Sequence, residues 1–127
     1  MAGGGLFVRG ARLYELMLIP LSSTYSIFRY DQLVHMVGFG VATLLMYELI
    51  APIIAHHQKH WARIFIVVIM AGLGVGAFNE ILEFVVGVIV PQSGVGGYIN
   101  TSLDLVADFI GAILAMMYVW AKDGIMR

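Results

Sequence analysis

The chain has 127 residues, of which 61 % are hydrophobic and 12 % charged, with a net charge of −1 and a mean hydropathy of +0.92. Soluble domains carry about a quarter charged residues, so this composition indicates an integral membrane protein. The lack of cysteine excludes disulfides and thiol chemistry, and the charge offers no basic face for nucleic acid. At roughly 20 apolar residues per span, residues 1–127 hold one transmembrane domain of three or four spans.

The first predicted element is a short apolar segment at residues 13–28. It contains Glu15, Pro20 and a Ser-Ser-Thr cluster, which is typical of a short, kinked span or of a helix in the membrane interface. Glu15 and the lack of an A-x-A-like site argue against a cleaved signal peptide.

Three clearer spans follow at residues 30–55, 62–90 and 102–122, joined by a His-rich connection and a Pro- and Gly-rich one. With residues 13–28 included, the prediction is an all-α, integral membrane helical bundle of four transmembrane helices. Four spans place six of the seven basic residues on one side: Arg9, Arg12, Lys59, Arg63, Lys122 and Arg127. The positive-inside rule then predicts the cell (inner) membrane with both termini cytoplasmic. Without the first span, the basic residues divide four against three.

Six ionisable residues within these spans form the candidate site. They occur in three pairs: Asp31 and His35, Glu80 and Glu83, Asp104 and Asp108. Offsets of three or four residues put each pair on one helix face. Antiparallel spans bring all three pairs to the non-cytoplasmic side at similar depth, and ionisable groups within a bilayer usually mark a functional site.

The chemistry of this cluster has three interpretations. Its five carboxylates have one nearby fixed cation in the sequence, Arg29, so the acids either bind a cation or hold protons. Carboxylates with one imidazole suit a divalent ion such as Zn, Mn, Fe or Mg, with Asn79, Tyr98, Asn100 and Arg29 as supporting hydrogen-bonding groups. The alternatives are a protonatable relay, or hydrogen bonds that only hold the bundle together.

Three segments then resemble a known family: RYDQLVH at 29–35, NEILEFVVG at 79–87 and GVGGYINTSLDLVADFIGA at 94–112. Over residues 29–115 the chain resembles the VanZ-like and YjdF-like group of small multi-pass membrane proteins. The resemblance implies a shared fold and polar site, with Asp104, Asp108 and Gly111 matching its D-x3-[ND]-x2-G pattern. Members often carry Asn at the position of Asp108 and Gln near that of Glu83. The additional carboxylates of Asp108 and Glu83 favour a site that binds a metal ion or protons. They argue against assigning to this chain the teicoplanin resistance with which VanZ is associated.

Three classes of function remain open at this stage. The first is a metal-dependent enzyme acting on a lipid-linked or headgroup substrate, with a metal-activated water and a carboxylate base. The second is an ion or proton relay. The third is an accessory subunit of a larger membrane complex or a homo-oligomer. The enzyme needs a lateral cleft for lipid, whereas the relay needs polar residues continuing below Glu80, where the second span is apolar. Membrane lipids are the expected partners.

Overall fold

The computed structural model describes residues 7–8, 10–12, 16–18, 28–54, 60–90 and 96–123. Within these ranges the chain forms three long helices: α1 Tyr30–Ile54, α2 Trp61–Ile89 and α3 Tyr98–Asp123. A small antiparallel hairpin of β1 Phe7–Val8 and β2 Ala11–Arg12 precedes them. Each helix is long and apolar enough to cross a membrane. The all-helical membrane bundle is therefore found with three helices.

The fourth span predicted at residues 13–28 is wrong. Its described residues pair with the start of α1 instead: Leu18 N donates to Phe28 O at 3.1 Å, and Tyr30 N donates to Leu16 O at 2.8 Å. The backbones of Leu18 and Phe28 are thus directly hydrogen-bonded, whereas a continuous helix between these two residues would hold them about 15 Å apart. The rest of the segment lies outside the described residues. The high hydropathy of this segment predicts a span, but hydropathy does not distinguish a helix from extended segments that pair through backbone hydrogen bonds.

The number of helices also bears on the predicted topology. The prediction that both termini are cytoplasmic required four spans and loses its basis here. The three clear spans agree with α1, α2 and α3, except that α3 begins four residues early, at Tyr98.

The closest helix packing joins α1 to α3. A side-chain carbon at Gly111 would collide with the carbonyl oxygen of Met36, and one at Gly40 would lie 3.2 Å from the Gly111 carbonyl oxygen. Glycine at both positions therefore lets the two backbones meet, as is common between membrane helices. This contact fixes the height at which the polar residues of α1 face those of α3.

The two ends of the bundle differ in chemistry. An apolar core fills the end near Trp61 and the last turns of α3, and its buried members are Tyr47, Ile64, Val68, Met116 and Val119. At this end the Tyr47 hydroxyl donates to Asp123 Oδ2 at 2.7 Å. The opposite end holds the polar residues of the candidate site.

Candidate metal site

The buried polar side chains of all three helices gather at one end of the bundle. Those at this end are at most 7 % exposed: Gln32, His35, Glu80, Asp104 and Asp108. The first two turns of α1 and the early turns of α3 supply four of them, and the second half of α2 supplies the fifth. The antiparallel order of the helices brings these stretches to one depth.

His35 lies at the centre of the cluster. Its Nδ1 atom is hydrogen-bonded to Asp108 Oδ1 at 3.0 Å and lies 3.8 Å from Glu80 Oε1. Its Nε2 atom lies 4.0 Å from Asp104 Oδ2. The Phe39 ring, one helical turn on, packs at 5.4 Å between ring centroids. The Nδ1 edge of the imidazole therefore faces one carboxylate from α2 and one from α3, and its Nε2 edge faces a second carboxylate from α3.

On the Nε2 side, the carboxylate of Asp104 is fully hydrogen-bonded by amides. Gln32 Nε2 donates to its Oδ1 at 2.6 Å, and Asn100 Nδ2 donates to its Oδ2 at 2.6 Å. Asn100 Nδ2 also donates to Asp31 Oδ2 at 3.2 Å. The side-chain oxygen of Gln32, Oε1, accepts a hydrogen bond from the backbone N–H of Arg29 at 2.8 Å. This half of the cluster is a complete network that joins the beginnings of α1 and α3.

On the Nδ1 side, two carboxylate oxygens lack such partners. Glu80 Oε1 and Asp108 Oδ2 are buried and accept no hydrogen bond from any described residue. Gly76 allows this arrangement, because a side-chain carbon there would collide with the Asp108 carboxylate. Glu83 accepts from Asn79 Nδ2 at 3.3 Å. Buried carboxylate oxygens without a donor or a cation are costly, so a bound ion or a proton would stabilise this half of the cluster most.

Two groups of side chains bring their ligand atoms within 4.8 Å of one another: Asp31, His35 and Asp104, and His35, Glu80 and Glu83. Two ligands of a tetrahedral ion lie about 3.4 Å apart when each is roughly 2.1 Å from the metal. The 3.8 Å between His35 Nδ1 and Glu80 Oε1 is thus within a small side-chain adjustment of a bound geometry. The six predicted ligands are all in this region, and the second group contains the unpartnered Glu80 oxygen.

A cleft of about 670 Å³ opens beside the cluster, between the second half of α2 and the start of α3. Its walls are mostly apolar or glycine: Ile81, Phe84, Gly87, Val88, Gly96, Gly97 and Tyr98. Glu80 and Thr101 also line it and supply its polar side chains. Glu80 therefore borders both the buried cluster and the cleft.

Comparison with known proteins supports the membrane assignment. Residues 5–123 match the family described as "Predicted membrane protein (DUF2238)". The chain belongs to this family. The expectation of a small membrane protein family is thereby confirmed, but the match does not extend to the VanZ-like or YjdF-like group. No curated protein and no solved structure matches the chain.

The predicted supporting residues have different positions around the cluster. Asn79 and Asn100 donate to cluster carboxylates, whereas Arg29 contributes its backbone N–H to Gln32. Tyr98 is 86 % exposed and lines the cleft. Gln32 is a further cluster residue that was not among the predicted ones. A polar side chain one turn before His35, in an otherwise apolar span, could have indicated it.

Proposed function

We propose that the protein binds a divalent metal ion on His35, Glu80 and Glu83, with the Asp108 carboxylate beside them. The observation that carries the proposal is the pair of buried oxygens, Glu80 Oε1 and Asp108 Oδ2, which lack hydrogen-bond partners within the described ranges. Both carboxylates lie against His35 Nδ1, so a cation there would compensate both. The carboxylate and imidazole donors suit Zn, Mn, Fe or Mg.

The distribution of fixed charge supports a bound cation. α1 contains no Lys or Arg, and the basic residues of α2 and α3 are Arg63 and Lys122. Both lie at the end of the bundle away from the acids. Arg29, just before α1, and a protonated His35 would together balance two of the five carboxylates at most, whereas a divalent ion balances two more. Ion binding is therefore the simplest way to keep several of these acids ionised inside a membrane.

The amide network around Asp104 has a positioning role in this proposal. Its Oδ2 atom faces His35 Nε2 at 4.0 Å, and the amides of Gln32 and Asn100 hold the carboxylate in place. Carboxylates that face the second nitrogen of a metal-binding histidine fix the tautomer and orientation of the ring. With the ring proton on Nε2 facing Asp104, Nδ1 of His35 would bind the ion, and the ion would replace the hydrogen bond between Nδ1 and Asp108 Oδ1.

A relationship to the VanZ-like and YjdF-like group is part of this proposal and rests on the three matching segments at 29–35, 79–87 and 94–112, which include the D-x3-[ND]-x2-G pattern. Members of that group often carry amides where this chain has Asp108 and Glu83. The two acids are the feature that would give this chain a metal site. They support ion binding rather than a shared activity with VanZ.

A proton relay is less well supported by the arrangement of α1. Thr43 and Tyr47 are buried polar residues below the cluster, but Thr43 lies about 12 Å along the helix from His35. Phe39 occupies the turn between them, and the Thr43 hydroxyl donates to the Phe39 carbonyl oxygen at 2.7 Å. Among the described residues, these side chains form no continuous polar path from the cluster toward the other end.

Metal content tests the proposal directly. Purified protein incubated with Zn²⁺ or Mn²⁺ and then desalted should retain about one ion per chain, while Glu80→Gln and Asp108→Asn should bind at least about tenfold more weakly. Glu48→Gln is the matched control, because Glu48 is an exposed acid on the far part of α1. Equal retention by Glu80→Gln and Glu48→Gln would contradict the site.

We also propose an orientation in the cell (inner) membrane. In the sequence, Lys59 and Arg63 flank the beginning of α2, Lys122 and Arg127 lie at and after the end of α3, and Arg9, Arg12 and Arg29 precede α1. The first four favour the cytoplasm for the core end. The polar cluster and the start of α1 would then face the non-cytoplasmic side.

Cysteine labelling in intact cells checks this topology, since the chain has no cysteine of its own. Met17→Cys and Gly97→Cys should react with a membrane-impermeant maleimide added outside, whereas His60→Cys should react only after the membrane is opened. All three positions are exposed. Opposite accessibility of positions 17 and 97 would contradict the three-helix arrangement, and reaction of position 60 alone would reverse the orientation.

A further inference from the structure

We infer that the divalent ion reaches its site through the cleft between α2 and α3, where Thr101 positions Glu80 at the boundary between the cleft and the cluster. The inference rests on the metal site proposed above and concerns how that site takes up and holds its ion. Glu80 and Thr101 are the polar side chains that line the cleft. They are also hydrogen-bonded to each other.

The two carboxylate oxygens of Glu80 have different surroundings. The Thr101 hydroxyl donates a hydrogen bond to the carboxylate. Oε1 accepts no hydrogen bond from any described residue, so the acceptor is Oε2. Oε1 lies 3.8 Å from His35 Nδ1. The bond from Thr101 therefore holds one oxygen at the cleft and leaves the other available to bind the ion together with His35.

Thr101 is placed for this contact by its position on α3. Thr101, Asp104 and Asp108 follow one another at spacings of three and four residues, so they share one face of the helix. A helical hydroxyl often bonds to a carbonyl oxygen one turn earlier, as Ser102 Oγ does with Tyr98 O at 2.8 Å. Thr101 has a single hydroxyl proton and donates it to α2 instead. Hydrogen-bond partners of a metal-binding carboxylate orient it, which makes Thr101 a positioning residue.

Contacts between α1 and α3 block an approach to the cluster from between these two helices. At the end of the bundle, Asn100 donates to both Asp31 and Asp104, which joins the beginning of α3 to that of α1. Further along, the backbone of Met36 lies so close to Gly111 that a side-chain carbon would collide with it. The cleft, by contrast, opens directly beside Glu80.

The size and location of the cleft suit the passage of a hydrated ion. Its volume is about 670 Å³, whereas an ion with six water molecules needs roughly 200 Å³ at about 30 Å³ per water. α2 has 29 residues and is about 43 Å long, which exceeds the roughly 30 Å hydrocarbon core of a bilayer. Turns at its end therefore extend into the hydrated headgroup region. Walls such as Phe84 and Val88 offer no ligands, so the ion is held only once it meets Glu80.

The rates and the equilibrium of Zn²⁺ binding test this route on the full-length protein in phosphatidylcholine nanodiscs. Stopped-flow mixing with a fluorescent zinc indicator measures uptake, an excess of a chromogenic chelator measures release, and competition with the indicator gives Kd. Gly97→Leu and Val88→Trp fill the cleft from opposite walls. Gly74→Leu is the matched control, because a side-chain carbon at Gly97 or at Gly74 meets no atom within 4 Å.

Three further variants test the role of Thr101. Thr101→Val replaces the hydroxyl by a methyl group of similar size, and Thr101→Ser keeps the hydroxyl. Ser102→Ala is the matched control, because it removes a neighbouring hydroxyl that bonds within α3. Thermal unfolding of each variant, followed by circular dichroism, shows whether a change in binding comes from a loss of folding.

Filling the cleft should slow uptake and release by the same factor, at least about fivefold, and leave Kd within about twofold, because it raises the barrier without changing the bound state. Thr101→Val should weaken binding at least about tenfold through faster release, and Thr101→Ser should stay within about threefold of the wild type. Gly74→Leu and Ser102→Ala should behave as the wild type.

The contrary outcomes are distinguishable from a failure of the metal site itself. A wild type that retains Zn²⁺, with unchanged rates in both cleft-filling variants, would overturn the entry route and leave the site standing. Equal release rates for Thr101→Val and Ser102→Ala would overturn the positioning role in the same way. A wild type that retains no Zn²⁺ would contradict the proposed function and the inference together.

Discussion

Asp104→Ala is expected to lower the free energy of unfolding by roughly 3–5 kcal/mol. Asp104 is fully buried and accepts hydrogen bonds from Gln32 and Asn100. Alanine would leave the Gln32 amide without its acceptor in the interior and the Asn100 amide with only its longer bond to Asp31, and it would open a cavity between α1 and α3. Unfolding of the purified protein, followed by circular dichroism, measures the loss.

Two comparisons separate this explanation from a general effect of removing an acid. Asp31→Ala removes a half-buried carboxylate that accepts one longer bond, from Asn100 at 3.2 Å, so about 1 kcal/mol or less is expected. Adding Gln32→Leu to Asp104→Leu should recover part of the stability, because it removes the donor that lost its acceptor. Similar losses for Asp31→Ala and Asp104→Ala, or strictly additive effects of the two leucine substitutions, would show that the amide network does not carry the stability.

The position of the candidate site could be predicted from spacing alone. Residues three or four apart on a helix share a face, and antiparallel spans align the start of one helix with the end of the next. Those two rules placed Asp104 and Asp108 opposite His35, where the structure has them. They apply because membrane helices are long and regular, so sequence distance converts directly into depth.

The difference between the two halves of the cluster could not be predicted in this way. It depends on which carboxylate oxygens meet an amide. Gln32 and Asn100 both reach Asp104, whereas the Oε1 atom of Glu80 remains without a donor among the described residues. Side-chain rotamers and the close passage of Gly76 past Asp108 decide these contacts. A one-dimensional pattern contains neither, so all six ionisable residues looked equivalent.

The error at residues 13–28 has a related physical cause. Apolar composition favours burial in a bilayer, but it does not specify a helix when the segment is short. Leu16 and Leu18 exchange backbone hydrogen bonds with Tyr30 and Phe28, which satisfies polar backbone groups by strand-like pairing instead. The cleft between α2 and α3 likewise could not be predicted from the sequence. The sequence indicated only that an enzyme acting on a lipid would need such a cleft. Its walls come from the second half of α2 and from Gly96 and Gly97 just before α3.

Removal of divalent ions by a chelator should destabilise the wild-type protein and leave Glu80→Gln unaffected. An ion that binds only the folded state, present at 100 times its Kd, contributes about 2.7 kcal/mol, and this contribution disappears with EDTA. If shared protons neutralise the acids instead, EDTA has no effect. The folded state then binds more protons than the unfolded state, so stability falls as pH rises. Thermal unfolding at several pH values, with and without EDTA, therefore distinguishes the two. Glu48→Gln is again the control and should respond to EDTA as the wild type does. If the stability of the wild type is unchanged by EDTA and falls only at high pH, shared protons and not a metal ion stabilise the buried Glu80 and Asp108 oxygens.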